Sequence, residues 1–331
     1  MIANANIPRI GITIGNAAGI GPEVVLRSLA EMRSDAGFVP IVIGDLAHLR
    51  RLNDELGLEI ELHSYGVAGG EAISVVDLDN LPTDLAIGEE SEAAGRASGQ
   101  YIEKAVDMWR AGEIDAISTA PISKRSLAMG GYDHPGHTEF LAALTGTERF
   151  AMSFFADKLR VVLMSTHMPL VEAIRYVTIE RLVSLIEFTD RQLSDLLGRK
   201  VTIAVAGINP HASENGMFGS EEAEIIEPAV AVAREKRIEV SGPYSPDTIF
   251  LRGFKGEFDA VIACYHDQAT IPVKALSFGS GVNVTLGLPL IRTSVDHGTA
   301  FDIVGKKAAD HSSMMAAIRL AAELAQLKAV S

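Results

Sequence analysis

With 331 residues, 47% of them apolar and 22% charged, the chain has the composition of a globular protein with a sizeable core, which excludes a disordered polypeptide. Its 29 Lys and Arg against 43 Asp and Glu give a net charge of −14 with no basic block, which argues against nucleic acid and anionic membrane partners. A single cysteine, Cys264, excludes an internal disulfide framework and a cysteine zinc cluster, so any metal must be held by histidines and carboxylates.

The opening MIANANIPRI lacks a charged start followed by a long apolar stretch, and no later run has membrane-spanning length, so a cytoplasmic location is expected. RIGITIG predicts the first strand. In the GNAAGIGPE that follows, Gly15, Gly19 and Gly21 allow a tight turn, and Pro22 and Glu23 suit a first helical turn. The spacing matches neither a dinucleotide fingerprint nor a P-loop, and reads as a structural turn. PIVIGD and AISVVDL predict further strands, 91–110 a helix, and EIDAISTAP another strand. In HPGHTEFLAALTG, Thr138 is expected to cap a helix beside an exposed His137; the alternative is that both meet an anion at the helix start. FAMSFFADKLRVVLMST predicts a β-hairpin around a polar ADK turn, and 178–197 a helix. VTIAVAG and DAVIACYHD predict strands, with strand character resuming through Pro272 to Lys274 before GVNVTL. Helical spacing returns over 310–327.

This alternation predicts an α/β protein with a mixed sheet, in which ligands bind where strands end. His167, His211 and His266 each follow a strand-like run, and three imidazoles would suit Zn, Co or Ni. Their wide separation leaves three unrelated histidines as the alternative. Lys274, Asn283 and Arg292 offer donors for a phosphate or carboxylate. DHGTAFDIVG packs small residues around Asp302, either to receive a flat ligand edge or simply to pack closely.

AGIGPE, GHTEF, INPHASENGMFGSEE, PDTIF, YHDQ, GVNVTLGLP and IRTSVDHGTAFDI, in this order and over nearly the whole chain, resemble the 4-hydroxythreonine-4-phosphate dehydrogenase family. DHGTAFDIVG is also similar to the cofactor loop of isocitrate and isopropylmalate dehydrogenases, whose fold the family shares. The resemblance implies two α/β lobes, expected at 1–133 with 303–331 and at 134–302, with the second carrying most ligands and a cleft between them. It implies that His167, His211 and His266 hold a divalent metal (Zn, Mg or Co) in a site shared across a homodimer. His137, Thr138, Lys274, Asn283 and Arg292 fall on substrate-binding positions, and Asp247 and Asp267 on acidic positions near the metal. NAD is the implied cofactor, contacted along 297–305 by His297, Gly298, Thr299, Ala300, Asp302 and Gly305.

The implied reaction is oxidation and decarboxylation of 4-phosphooxy-L-threonine to 3-amino-2-oxopropyl phosphate, in vitamin B6 synthesis. The alternative substrate is D-threonate or D-erythronate 4-phosphate, in sugar-acid catabolism. A three-histidine hydrolase would need no nicotinamide, and the 297–305 loop leans against it. A catalytically idle binding protein is the remaining alternative, although all three histidines are present. The chain departs from the family pattern at Asn16, where an acidic residue is usual, and at Ala269 and Thr270.

Overall fold

Apolar β-branched runs form the strands, and capped or amphipathic runs form the helices between them. The computed structural model describes residues 7–35, 37–67, 72–277 and 280–330. The chain begins β1 (Arg9–Thr13), α1 (Gly21–Glu31), β2 (Val39–Gly44), α2 (Leu46–Leu56), β3 (Leu62–Ser64) and β4 (Ile73–Asp77). It continues with α3 (Glu92–Arg110), β5 (Ala116–Thr119), α4 (Lys124–Met129), α5 (His137–Thr145), β6 (Ala151–Ala156) and β7 (Leu159–Leu163). Then come α6 (Leu170–Tyr176), α7 (Ile179–Leu197), β8 (Ile203–Ala206), α8 (Glu227–Glu235), β9 (Val240–Tyr244) and α9 (Pro246–Phe254). The last elements are β10 (Ala260–Ala263), α10 (His266–Ser277), β11 (Val282–Leu286), β12 (Ile291–Ser294) and α11 (Ser312–Val330). Among the described residues no helix is long and apolar enough to cross a membrane.

Two compact units emerge, one from residues 1–148 with 288–330 and the other from 149–287. They differ from the expected lobes at both boundaries. Residues 134–148 stay with the first unit because Tyr132 packs its ring on Phe140 of α5, 5.1 Å between centroids, and also lies against Gly99 of α3. Residues 288–302 stay there because β12 pairs in parallel with β5, Arg292 opposite Ile117 and Ser294 opposite Thr119.

In the first unit the strand order is β3-β4-β2-β1-β5-β12, parallel throughout. Ile10 and Ile12 of β1 are fully buried, as strands covered on both faces require. Ser91 caps α3 by accepting a hydrogen bond from the Ala94 amide. In the second unit the order is β11-β6-β7-β10-β8-β9. The hairpin predicted around the ADK turn is present: β6 pairs antiparallel with β7 and with β11, while β7, β10, β8 and β9 are parallel. Leu163, Ala206, Ile249, Phe250, Val261 and Ala263 meet in this unit's core.

Two local expectations are corrected. Thr138 does not cap α5: Gly136 occupies the N-cap with extended backbone and no side-chain cap, so His137 and Thr138 are the first helical residues. After Asp267 strand character does not resume. Residues 266–277 form α10 with Pro272 inside it, and the buried Ala269 and Val273 hold that helix on the core.

Candidate active site

The order β7-β10-β8 sets three parallel strands side by side, and a polar segment follows the C-terminal end of each. His167 lies four residues after β7, His266 starts α10 just after β10, and His211 stands in the turn after β8. The His167 and His266 rings lie 5.6 Å apart between centroids. That spacing suits two imidazoles sharing one metal with nitrogens at about 2.0–2.1 Å. Asp267 Oδ1 lies 2.7 Å from His266 Nδ1, a carboxylate–imidazole pairing of the kind that fixes a tautomer and leaves Nε2 free to meet a ligand. His211 makes a looser pair with Asp247, 3.8 Å from Nδ1 to Oδ2. The residues fit a divalent metal by donor type and pairing, although among the described residues of one chain no three ligating side chains form a cluster.

A cavity of about 490 Å³ opens beside His167, Thr166, Tyr265, His266 and Asp267. A second, of about 500 Å³, is lined by Asp247, Phe250, Tyr265, Asp267, Gln268 and Ile271. Asp267 therefore faces both. Lys274 is exposed about two turns along α10. Asn283, on β11 opposite Phe154, holds its buried Oδ1 without a hydrogen-bond partner among the described residues.

Two buried side chains that sequence reasoning did not single out organise the histidine loops. Gln268 takes the Cys264 amide at 2.7 Å and gives Nε2 to the Gly207 carbonyl at 2.6 Å, stapling the end of β10 to the end of β8. Glu222 receives the next two backbone amides, Ile208 and Asn209, each at 2.7 Å. Beyond them His211, Ala212, Ser213, Glu214 and Asn215 all have positive φ, 54°, 52°, 65°, 44° and 56°. Each L-residue held there costs on the order of 1 kcal/mol. Both side chains stood in the motifs YHDQ and GSEE, which was the available signal. Burial raises the Cys264 thiol to about 12, with Glu222 adding to the rise, so this cysteine is an inert core group.

The first unit carries the other polar cluster. Arg292 is 3% exposed on β12 and donates to Thr119 Oγ1 at 3.0 Å; Thr119 in turn donates to the Thr293 carbonyl at 3.4 Å. Burial lowers the Arg292 guanidinium to about 10, against a small opposing pull from Glu139. Burial and the Arg292 charge push His137 well below the ordinary imidazole value, so it is neutral at physiological pH. Its Nε2 is buried without a hydrogen-bond partner among the described residues. A neutral imidazole beside a desolvated guanidinium is suited to receiving an anion.

The 297–305 loop packs against the first glycine turn. Ile20 donates its amide to the Thr299 carbonyl at 3.0 Å, and a Cβ on Gly19 would sit 3.0 Å from Thr299. Ala300 and Gly305 take positive φ, 43° and 77°, while Asp302 and Gly298 are exposed. His297 has a buried Nε2 without a hydrogen-bond partner among the described residues. A cavity of about 280 Å³ adjoins this loop, lined by Gly19, Glu23, His48, Arg51, Val304 and Gly305 among others. It is near the lower bound of about 300 Å³ for ligand pockets, room for part of a dinucleotide. Burial and Arg51 lower His48 to about 4, so a neutral ring forms one wall. His48 was not anticipated; its signal was the Asp45 N-cap that starts α2 immediately after β2.

Asn16 is fully buried. Its Oδ1 accepts the Ala18 amide at 2.9 Å, so the neutral side chain closes the glycine turn on itself.

A family model described as "Pyridoxal phosphate biosynthetic protein PdxA" matches residues 37–321. The chain is similar to the D-threonate 4-phosphate dehydrogenase of Cupriavidus necator, 47% identical over 330 residues that cover 98% of this chain and 99% of the relative. It is 44% identical over 324 residues to the 4-hydroxythreonine-4-phosphate dehydrogenase of Desulforapulum autotrophicum, covering 96% and 95%. The crystal structure of a 4-hydroxythreonine-4-phosphate dehydrogenase from Burkholderia phymatum aligns with a TM-score of 0.85 at 46% identity, over 96% of this chain and 98% of that one.

Proposed function

The chain belongs to the PdxA family of dehydrogenases, and on that premise we propose that it oxidises and decarboxylates a four-carbon 3-hydroxy acid carrying a 4-phosphate, using NAD and a divalent metal. The observation that carries this reading is the pairing of the His167 and His266 imidazoles beside Asp267 in the lining of the 490 Å³ cavity. Zinc, magnesium or cobalt would polarise the reacting oxygen, and NAD would take the hydride.

His167, His211 and His266 would hold the metal. As the family resemblance implies, the site would be completed between two copies of the chain, with His167 and His266 forming one pair and His211 and Asp247 another. Asp267 and Asp247 are the candidates to accept the hydroxyl proton as hydride leaves the carbon. Arg292, His137, Thr138, Lys274 and Asn283 would bind phosphate and carboxylate, orienting the carbon toward the nicotinamide. The 297–305 loop and the cavity against Gly19 and His48 would receive part of the cofactor.

Two substrates fit this chemistry. 4-Phosphooxy-L-threonine would give 3-amino-2-oxopropyl phosphate and carbon dioxide. D-Threonate 4-phosphate is supported by the Cupriavidus relative, and the buried, uncharged Asn16 supplies no carboxylate for a substrate ammonium. The test is NADH formation by purified protein with added divalent metal on both compounds and on D-erythronate 4-phosphate. Preference for the amino acid assigns vitamin B6 synthesis, preference for a sugar acid assigns catabolism, and no NADH with any of them refutes the reading.

Thr119 provides a check on the anion assignment. Thr119→Val removes the acceptor of the Arg292 N–H while keeping the volume. It should raise KM for the phosphorylated substrate by about 10-fold, as expected for one buried hydrogen bond of about 1–2 kcal/mol. Thr119→Ser should restore it, and an unchanged KM in the valine variant would move the phosphate elsewhere.

A further inference from the structure

We infer that Glu222 is a positioning residue for the metal centre: its buried carboxylate clamps the left-handed turn that presents His211. The inference rests on the proposed reading of His211 as a metal ligand.

Five consecutive non-glycine residues, 211–215, hold positive φ, a conformation that L-residues leave unless the surroundings enforce it. The enforcing contacts converge on one side chain. Glu222 is 2% exposed, and its Oε1 accepts both the Ile208 and the Asn209 amides at 2.7 Å. Its Oε2 accepts the Asn209 side-chain amide at 2.9 Å and a short hydrogen bond from the Ser213 hydroxyl. The contacts therefore lie on both sides of His211, two residues before it and two after. Glu221 adds a second carboxylate on Asn209 Nδ2, at 2.6 Å.

His211 itself is mostly exposed, with a 3.8 Å approach to Asp247 and a tilted ring contact with Phe218 at 6.4 Å between centroids, so its direction comes chiefly from the backbone beneath it. Releasing that backbone lets 211–215 relax toward ordinary φ values and swings the imidazole off its line. A ligand that must find its place again binds metal more weakly, although every donor atom remains.

The experiment titrates chelator-stripped full-length protein with Co²⁺, followed by its visible absorption, for wild type, Glu222→Gln, Ser213→Ala and His211→Ala. Glu222→Gln keeps the shape but sets an amide NH₂ against donors on one side. It should weaken Co²⁺ binding by about 10- to 100-fold, the range for outer partners of metal ligands, and alter the Co²⁺ spectrum. Ser213→Ala, which frees only one end of the turn, should weaken binding by a smaller factor. Both should keep the wild-type circular dichroism spectrum. If both variants keep the wild-type affinity while His211→Ala loses it, the clamp is refuted and the metal assignment stands. If His211→Ala binds as wild type does, the metal reading fails and the clamp's role fails with it. Should Glu222→Gln not fold, Ser213→Ala decides by the same criterion.

Discussion

On the proposed reading, replacing His211 with alanine will abolish divalent-metal binding and lower kcat by more than about 1,000-fold, equivalent to the several kcal/mol that a bound metal contributes to charge stabilisation. The fold will survive the change. The side chain is 61% exposed and packs into no core cluster, and alanine at φ 54° bears a strain close to that of the histidine it replaces. Elemental analysis of the purified variant, NADH formation and a thermal melt separate these effects. Full metal content with normal turnover would remove His211 from the metal centre.

Arg292→Met will have nearly as large an effect on activity, with no loss of stability. Truncating one partner of a buried charge pair costs roughly 100- to 1,000-fold in kcat/KM, and the loss should fall mainly on KM if the guanidinium grips phosphate equally in ground and transition states. In the ligand-free protein the same group is a liability. Burial holds its pKa at about 10, below the ordinary guanidinium value, so the unfolded chain binds the proton more tightly than the folded one does. By linkage the charged form disfavours folding at every pH below that value. The methionine variant, similar in volume and uncharged, should therefore match or exceed the wild-type Tm without substrate. A lower Tm together with an unchanged KM would show that Arg292 serves the fold rather than the substrate.

Both expectations depend on features with different legibility. Residue 292 could be picked out as a cation beside a strand end. That Thr119 would anchor it could not, because the contact joins residues 173 positions apart through the β5–β12 pairing. The burial of Glu222 was not legible for a related reason. A glutamate in a run of acidic residues reads as solvated surface, and only the return of the chain after the 211–215 turn buries it under the Ile208 and Asn209 amides. The capping role expected of Thr138 failed because Gly136, with φ at 178°, carried the extended backbone of the N-cap and let the helix begin two residues earlier. The expected resumption of a strand at Pro272 failed because the apolar residues 269 and 273 are four apart, a helical interval that a short window could not separate from a strand.

The sequence by itself determined the α/β class, the hairpin around the ADK turn, the helices that begin near residues 91 and 178, and the polar segments that end the strands. These follow from local periodicity and from hydrogen bonds spanning a few residues. Only the tertiary structure decided the order β7-β10-β8 that brings three separate polar segments to one edge, the boundaries of the two units, and the buried Gln268 and Glu222 that shape the histidine loops. Strand neighbours and buried partners are selected by packing and pairing over sequence separations of tens to hundreds of residues, and no local pattern records which distant group will arrive.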